Sequence, residues 1–187
     1  MNAPSLHSLG AILIVACASI LSATQPLRSQ NNQRPATPIK IAFFDVELAD
    51  FSAGGPLAGQ SPAETARIRL ASQKLREALI ATGLYELVDV FADHPNISAL
   101  NADSIRANYL RGCNGCEVDI AKALGADQSF LALFKKVSVM EGSLEFQIRD
   151  VSTGRYVKHV QTDWRGSTDE SWTRAVKWLV KRKILNE

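Results

Sequence analysis

Residues 128–164 read QSFLALFKKVSVMEGSLEFQIRDVSTGRYVKHVQTDW, and their patterning decides the fold. Leu144, Phe146 and Ile148 alternate with Glu145, Gln147 and Arg149. A period of two belongs to an antiparallel strand with one buried face. Glu141-Gly142 and Ser152-Thr153-Gly154 read as turns. The stretch therefore predicts three strands, 128–139, 144–151 and 156–164, joined as a meander.

Upstream, the pattern changes. Residues 39–48 (IKIAFFDVEL) are rich in strand formers and bounded by Pro38, and predict one strand. A glycine-rich loop, 49–60, follows. Ser61-Pro62-Ala63-Glu64 then reads as a helix start, with Ser61 capping, Pro62 at the first helical position and Glu64 closing a capping box. The helix runs to Thr82 and stops at Gly83, with Ile68, Ala71, Leu75, Ala78 and Leu79 on one face. Residues 85–90 predict a short strand, 91–101 a loop, and 103–110 a weak helix. A turn at Asn114-Gly115 precedes a short helix over 117–124. Downstream of the meander, Ser167-Thr168-Asp169-Glu170 reads as a second capping box. It opens a helix to about residue 185 that buries Trp172, Val176, Leu179 and Val180.

The order is β-α-β-α-β-β-β-α. It predicts an α/β (α+β) fold, a single mixed sheet with helices packed on it and a right-handed first crossover. No internal repeat or low-complexity tract is present.

The chain has 187 residues, 46% hydrophobic and 21% charged, with net charge +2. That composition excludes a largely disordered chain and a multi-span membrane protein. The near-neutral charge gives no pull toward nucleic acid. Leu9 to Leu21 is a nearly unbroken apolar run, and small residues follow it. Its length suits a signal-peptide core and falls short of a membrane span. We expect residues 1–23 to be a secretory signal, 24–37 a flexible polar leader and 38–187 one domain. The n-region lacks Lys and Arg, and Leu21 sits where a small residue is preferred before cleavage. Ile14-Val15-Ala16-Cys17 offers an alternative, a lipobox that would anchor the protein to a membrane through Cys17. The expected location is the periplasm.

Three constellations could carry chemistry. Cys113 and Cys116 form a C-x-x-C pair, the only cysteines left once a signal is removed. In an oxidising compartment the pair reads as a small structural disulfide or a redox-active dithiol. Cys116 at a helix start would favour a thiolate, whereas Glu117 and Asp119 oppose one. Asp45, Glu47 and Asp50 alternate before the loop containing Gly54 and Gly55. That spacing reads as a solvated strand face, or as a cation or small-ligand site beyond a strand end. The loop lacks both common phosphate-cradling patterns. Trp178, Lys181 and Arg182, beside Lys177 and Lys183, make a basic end on the last helix. It complements the helix dipole or docks a partner. His94 and His159 have no nucleophile motif beside them, and Asn96-Ile97-Ser98 is a glycosylation sequon only in a eukaryotic host. No metal and no cofactor is implied.

The stretches LRGCNGCEVDIAKALGADQSFLALFKKVS, FQIRDVSTGRYV and DWRGSTDESWTRAVKWLV resemble an exported bacterial family known only as a domain of unknown function. Its members resemble relatives of quinoprotein (PQQ-dependent) alcohol-oxidation gene neighbourhoods, although nothing in these residues binds PQQ. The layout also resembles the α/β domain of the Tol β-propeller protein, of curli-secretion lipoproteins and of penicillin-binding-protein-activator lipoproteins. Ile41-Ala42-Phe43-Phe44 and Gly125-Ala126-Asp127 fill the shared positions. Such domains bind proteins, so the resemblance implies a non-enzymatic adaptor whose partner is another envelope protein. The other readings are a thiol–disulfide protein and a metal or small-ligand carrier.

Overall fold

A computed structural model describes residues 37–90 and 110–185. The expected signal and leader up to residue 36, Cys17, His94, Asn96 and all but Leu110 of the helix expected over 103–110 lie outside the described residues. The elements are β1 (Ile39–Phe43), β2 (Glu47–Asp50), α1 (Gly55–Ala58), α2 (Pro62–Ala81), β3 (Tyr85–Val88), α3 (Cys116–Ala123), β4 (Gln128–Lys136), β5 (Glu141–Asp150), β6 (Tyr156–Arg165) and α4 (Asp169–Leu179). A 3-10 turn, Leu110–Gly112, precedes α3, and a π-helical segment, Val180–Ile184, follows α4.

The strands form one mixed sheet in the order β3-β1-β4-β5-β6, with β2 also paired to β4. β1 runs parallel to β3 and β4, and β4, β5 and β6 form the antiparallel meander. Helices α2 and α4 cover one face, over Ile41, Phe43, Phe130, Phe134, Phe146 and Trp164. The second face carries a smaller core, where Ile120 and Ala121 of α3 meet Ala42, Phe44 and Leu131.

The strand expected over 39–48 is two strands with one additional residue between them. Phe43 pairs with Phe130 and Glu47 with Leu133, so four residues advance on one side against three on β4. The phase of burial shifts accordingly. Ile41 and Phe43 face the larger core before the break, and Val46 and Leu48 after it. Val46 donates its N–H to Ser72 Oγ at 2.9 Å, which satisfies the backbone group the irregularity releases.

Two further expectations are corrected. The turn between β4 and β5 spans 137–140, not Glu141-Gly142. Gly142 lies within β5 opposite Trp164, and a Cβ there would sit 2.8 Å from the indole. The glycine makes room for a ring. At the last helix, Thr168 is the cap, its Oγ1 accepting from Ser171 N at 3.2 Å, so a one-sided cap one residue later replaces the expected Ser167–Glu170 box. The Ser61–Glu64 box forms as expected.

Candidate functional site

The carboxyl ends of β1 and β2 place the three expected acids in three separate settings. Asp45 sits in the break between the strands, where Arg76 Nη2 reaches it at 3.0 Å. Arg76 also lies 4.7 Å over the Phe43 ring. Glu47 accepts the Leu110 N–H at 2.6 Å and the Arg111 N–H at 3.3 Å, and pairs with Arg111 Nη1 at 3.1 Å. It fastens the chain that enters α3 to the sheet. Asp50 accepts from Ser52 N at 2.9 Å and meets Lys136 Nζ at 2.8 Å.

Lys136 Nζ also lies 2.7 Å from Glu64 Oε1, so one ammonium joins two carboxylates in a largely covered pocket. Burial alone would raise both carboxyls, yet the hydrogen bonds from Lys136, Ser52 and Ser61 hold them below the usual carboxylate range. The same bonds raise the Lys136 ammonium above its ordinary value. No local pattern announces this triad, because Asp50 and Glu64 are 14 residues apart and Glu64 and Lys136 are 72 apart. Glu47 and Asp50 are thus neither solvated nor convergent. Among the described residues no three His, Cys, Asp or Glu side chains are placed to share a metal ion.

Gly54 caps α1 with φ 80°, and Gly55 is buried. A Cβ on Gly55 would stand 2.4 Å from the Asp50 carboxylate, which fills the space beside that backbone. Gly55 therefore lets Asp50 approach.

Cys113 and Cys116 bring their sulfurs to bonding distance, with Cα atoms 5.6 Å apart. Gly115, at φ 99°, caps α3, and Cys116 is its first residue. Glu117, buried beside it, is met by Arg149 Nη1 and Gln147 Nε2, each at 3.3 Å. Its charge is answered by Arg149.

The opposite side of the sheet ends in β6. This edge strand has ten residues, with no Pro and no Gly. Among the described residues, no strand pairs with its outer side. Edge strands of soluble proteins are usually short, or guarded by Pro, a bulge or an outward Lys. Lys158 does not serve as such a guard, since its Nζ donates to the Lys183 carbonyl at 2.5 Å. The one register shift puts an additional residue, Val157, into β6 near its start, since Ile148 pairs with Lys158 and Arg149 with Tyr156; from Lys158 to Arg165 the pairing is regular. His159, expected in a strand, lies in β6 with Nε2 2.5 Å from Glu145 Oε1.

Beside this edge runs a groove of about 280 Å³ between β6 and α4, lined by Asp163, Trp164, Arg165, Arg174 and Trp178. Trp178 is 45% exposed there. Arg165 and Arg174 make only long pairs, 3.5 Å to Glu141 and 3.7 Å to Glu170. Of the expected docking residues, the groove includes Trp178. Lys181 and Arg182 continue from it in the π-helical segment. The meander was legible in sequence, but the freedom of its last strand was not, since pairing partners leave no local mark.

No helix among the described residues is long and apolar enough to cross a membrane. No curated protein matches the chain. Several solved structures are similar to it. The LpoB C-terminal domain from Salmonella enterica is 20% identical, with 70% of this chain and 87% of that one covered and a TM-score of 0.48. The hypothetical protein CT253 from Chlamydia trachomatis is 10% identical, with coverages of 78% and 95% and a TM-score of 0.49. Lipoprotein GNA1162 from Neisseria meningitidis is 13% identical, with coverages of 80% and 100% and a TM-score of 0.43. A family model described as "Protein of unknown function (DUF2380)" matches residues 39–184, and the chain belongs to that family, DUF3280.

Proposed function

We propose that this protein is a non-enzymatic accessory or adaptor of the bacterial cell envelope, which docks another envelope protein on the face formed by β6 and α4. The observation that carries this reading is the outer edge of β6, regularly paired on its inner side from Lys158 to Arg165, beside a groove holding an exposed Trp178. An open strand edge with a side-chain groove next to it suits strand addition by a partner. At the other side of the sheet Glu47 and Asp50 hold backbone and Lys136 in place, and Asp45, paired with Arg76, lines a cleft with Asp89.

In this reading residues 1–23 direct export, and the domain over 38–187 faces the periplasm or is held at a membrane through Cys17. The family resemblance makes a periplasmic quinoprotein dehydrogenase the first partner to try.

Site-specific photo-crosslinking tests the docking face. A photoreactive residue at Trp178 should give one discrete adduct in intact envelopes. The same residue at Ile80, exposed on α2, should give none. Equal labelling from both positions, or none from either, sinks the proposal.

A further inference from the structure

We infer that the protein rests on a lipid bilayer, dipping the β4–β5 turn, with Phe51 and Leu57, into its interfacial layer. This goes beyond the docking reading, which concerns the β6–α4 face. Five of the ten exposed large hydrophobic residues among the described ones gather at one end of the sheet. They are Phe51, Leu57, Val137, Val139 and Met140, each more than half exposed. The backbone fixes their neighbourhood. Asp50 pairs with Lys136, and Phe51 donates its N–H to the Lys136 carbonyl at 2.7 Å, so Phe51 lies beside Val137. Helix α1, which carries Leu57, is placed there by Gly55, whose backbone stands against the Asp50 carboxylate. Apolar residues scattered singly are ordinary on a surface, whereas a cluster marks a contact.

The backbone, the charges and the tether favour lipid as the occupant. Val137 and Ser138 donate their N–H groups to the Glu141 carbonyl at 2.9 and 3.0 Å, and Met140 donates to Ser138 Oγ at 3.1 Å. The Met140 carbonyl accepts from Gly166 at 2.8 Å. Main-chain groups bonded within the protein suit a medium that offers no hydrogen bonds, and are spent for a partner that adds a strand. Lys135 pairs with Glu145, Lys136 with Asp50 and Glu64, and Arg165 with Glu141. Each of these cations is answered by a carboxylate, so the contact rests on apolar area and not on anionic headgroups. Because β1 and β4 are parallel, residue 37 enters the sheet at the end opposite the turn. The leader expected over 24–37 spans about 45 Å when extended. The nine residues of β4 span about 30 Å. A tether at the N-terminus therefore still lets the turn reach the same bilayer.

A local probe on the full chain tests this. Dansylalanine is placed at position 139, or at position 80 on α2 as the control, and mixed with phosphatidylcholine vesicles brominated on the acyl chains. Bromine quenches only what reaches it, so quenching at 139 should exceed that at 80 at least about threefold. It should survive high salt and gain nothing from added phosphatidylglycerol. Val137→Asp/Met140→Asp should reduce it at least about threefold with an unchanged melting midpoint. If that pair lowers the midpoint, Leu57→Asp, on a side chain 94% exposed, should give a reduction in the same direction without doing so. Equal quenching at 139 and 80 overturns the inference, because the N-terminus alone would then hold the chain near lipid. So does no quenching at 139, or quenching that needs phosphatidylglycerol or disappears in salt. A sedimenting dimer that the double variant dissolves assigns the patch to a second copy. A discrete protein adduct from a photoreactive residue at 139 in intact envelopes assigns it to a protein partner. Either result overturns the lipid assignment, while the docking reading stands or falls on the Trp178 adduct.

Discussion

Lys136 carries its charge into a setting where the side chain is 17% exposed, and the carboxylates of Asp50 and Glu64 are covered with it. Such a site is stable only while every member is charged and paired. Lys136→Met should cost about 2 kcal/mol at neutral pH, because it leaves two covered carboxylates without a cation. The pH dependence has a definite sign. Folded-state values of both carboxyls are depressed, so their contribution is complete above the unfolded values and disappears as pH falls through the folded ones. Lys136 is raised, so its contribution is complete below the ordinary lysine value and lost as pH climbs through the folded value. The stability gap between wild type and variant should therefore narrow below about pH 4. Urea denaturation at neutral and acid pH measures it, and a constant gap would show that the triad does not couple to stability. Gly142 acts at the same scale through space. A methyl there would meet the Lys135 carbonyl at 2.4 Å and the Trp164 ring at 2.8 Å, so Gly142→Ala should cost about 3 kcal/mol by the same assay.

Among the elements, α2 and the two strands before it show why part of the fold was readable and part was not. The capping box at Ser61 is a local device, and four consecutive residues announce it. The break between β1 and β2 is different. FFDVEL reads as continuous strand, and only the register against β4 reveals the additional residue. A faint trace exists, because the buried positions step from odd, Ile41 and Phe43, to even, Val46 and Leu48. The misplaced β4–β5 turn has a similar origin. Glu-Gly is a common turn pair, but Gly142 answers to a tryptophan 22 positions away across the strands. These two kinds of device predict different costs. Ser61→Ala removes a cap at a helix end that water reaches, worth about 1 kcal/mol. Ser72→Ala removes the acceptor of the buried Val46 N–H, and should cost about 2 kcal/mol although the residue sits mid-helix. If the two variants lose equal stability, Ser72 is not what holds the break between β1 and β2.

At the scale of the whole sheet, the described residues form two cores of unequal size. Among the described residues, α2 and α4 share the larger core on one face, and α3, with Val90 and Leu110, covers a patch over β1 and β4 on the other. A single eight-residue helix holds little apolar area, so its attachment depends on other devices. Glu47 fastens the chain before it, Arg149 answers Glu117 within it, and Cys113–Cys116 ties its first residue. The pair is three positions apart, so closing it removes little freedom from the unfolded chain, about 2 kcal/mol in the loop-entropy account. Cys113→Ala/Cys116→Ala should therefore leave the protein folded with a modest loss. Hydrogen exchange should quicken in α3 and the turn before it while β4 to β6 keep their protection. Titration against glutathione buffers separates this staple from an exchange site. A structural bridge should stay closed at the potential of the glutathione pool and open only below about −300 mV, whereas a working dithiol balances near about −200 mV. An opening in that upper range, with unchanged exchange in α3, would move the pair from holding the smaller core to serving redox traffic.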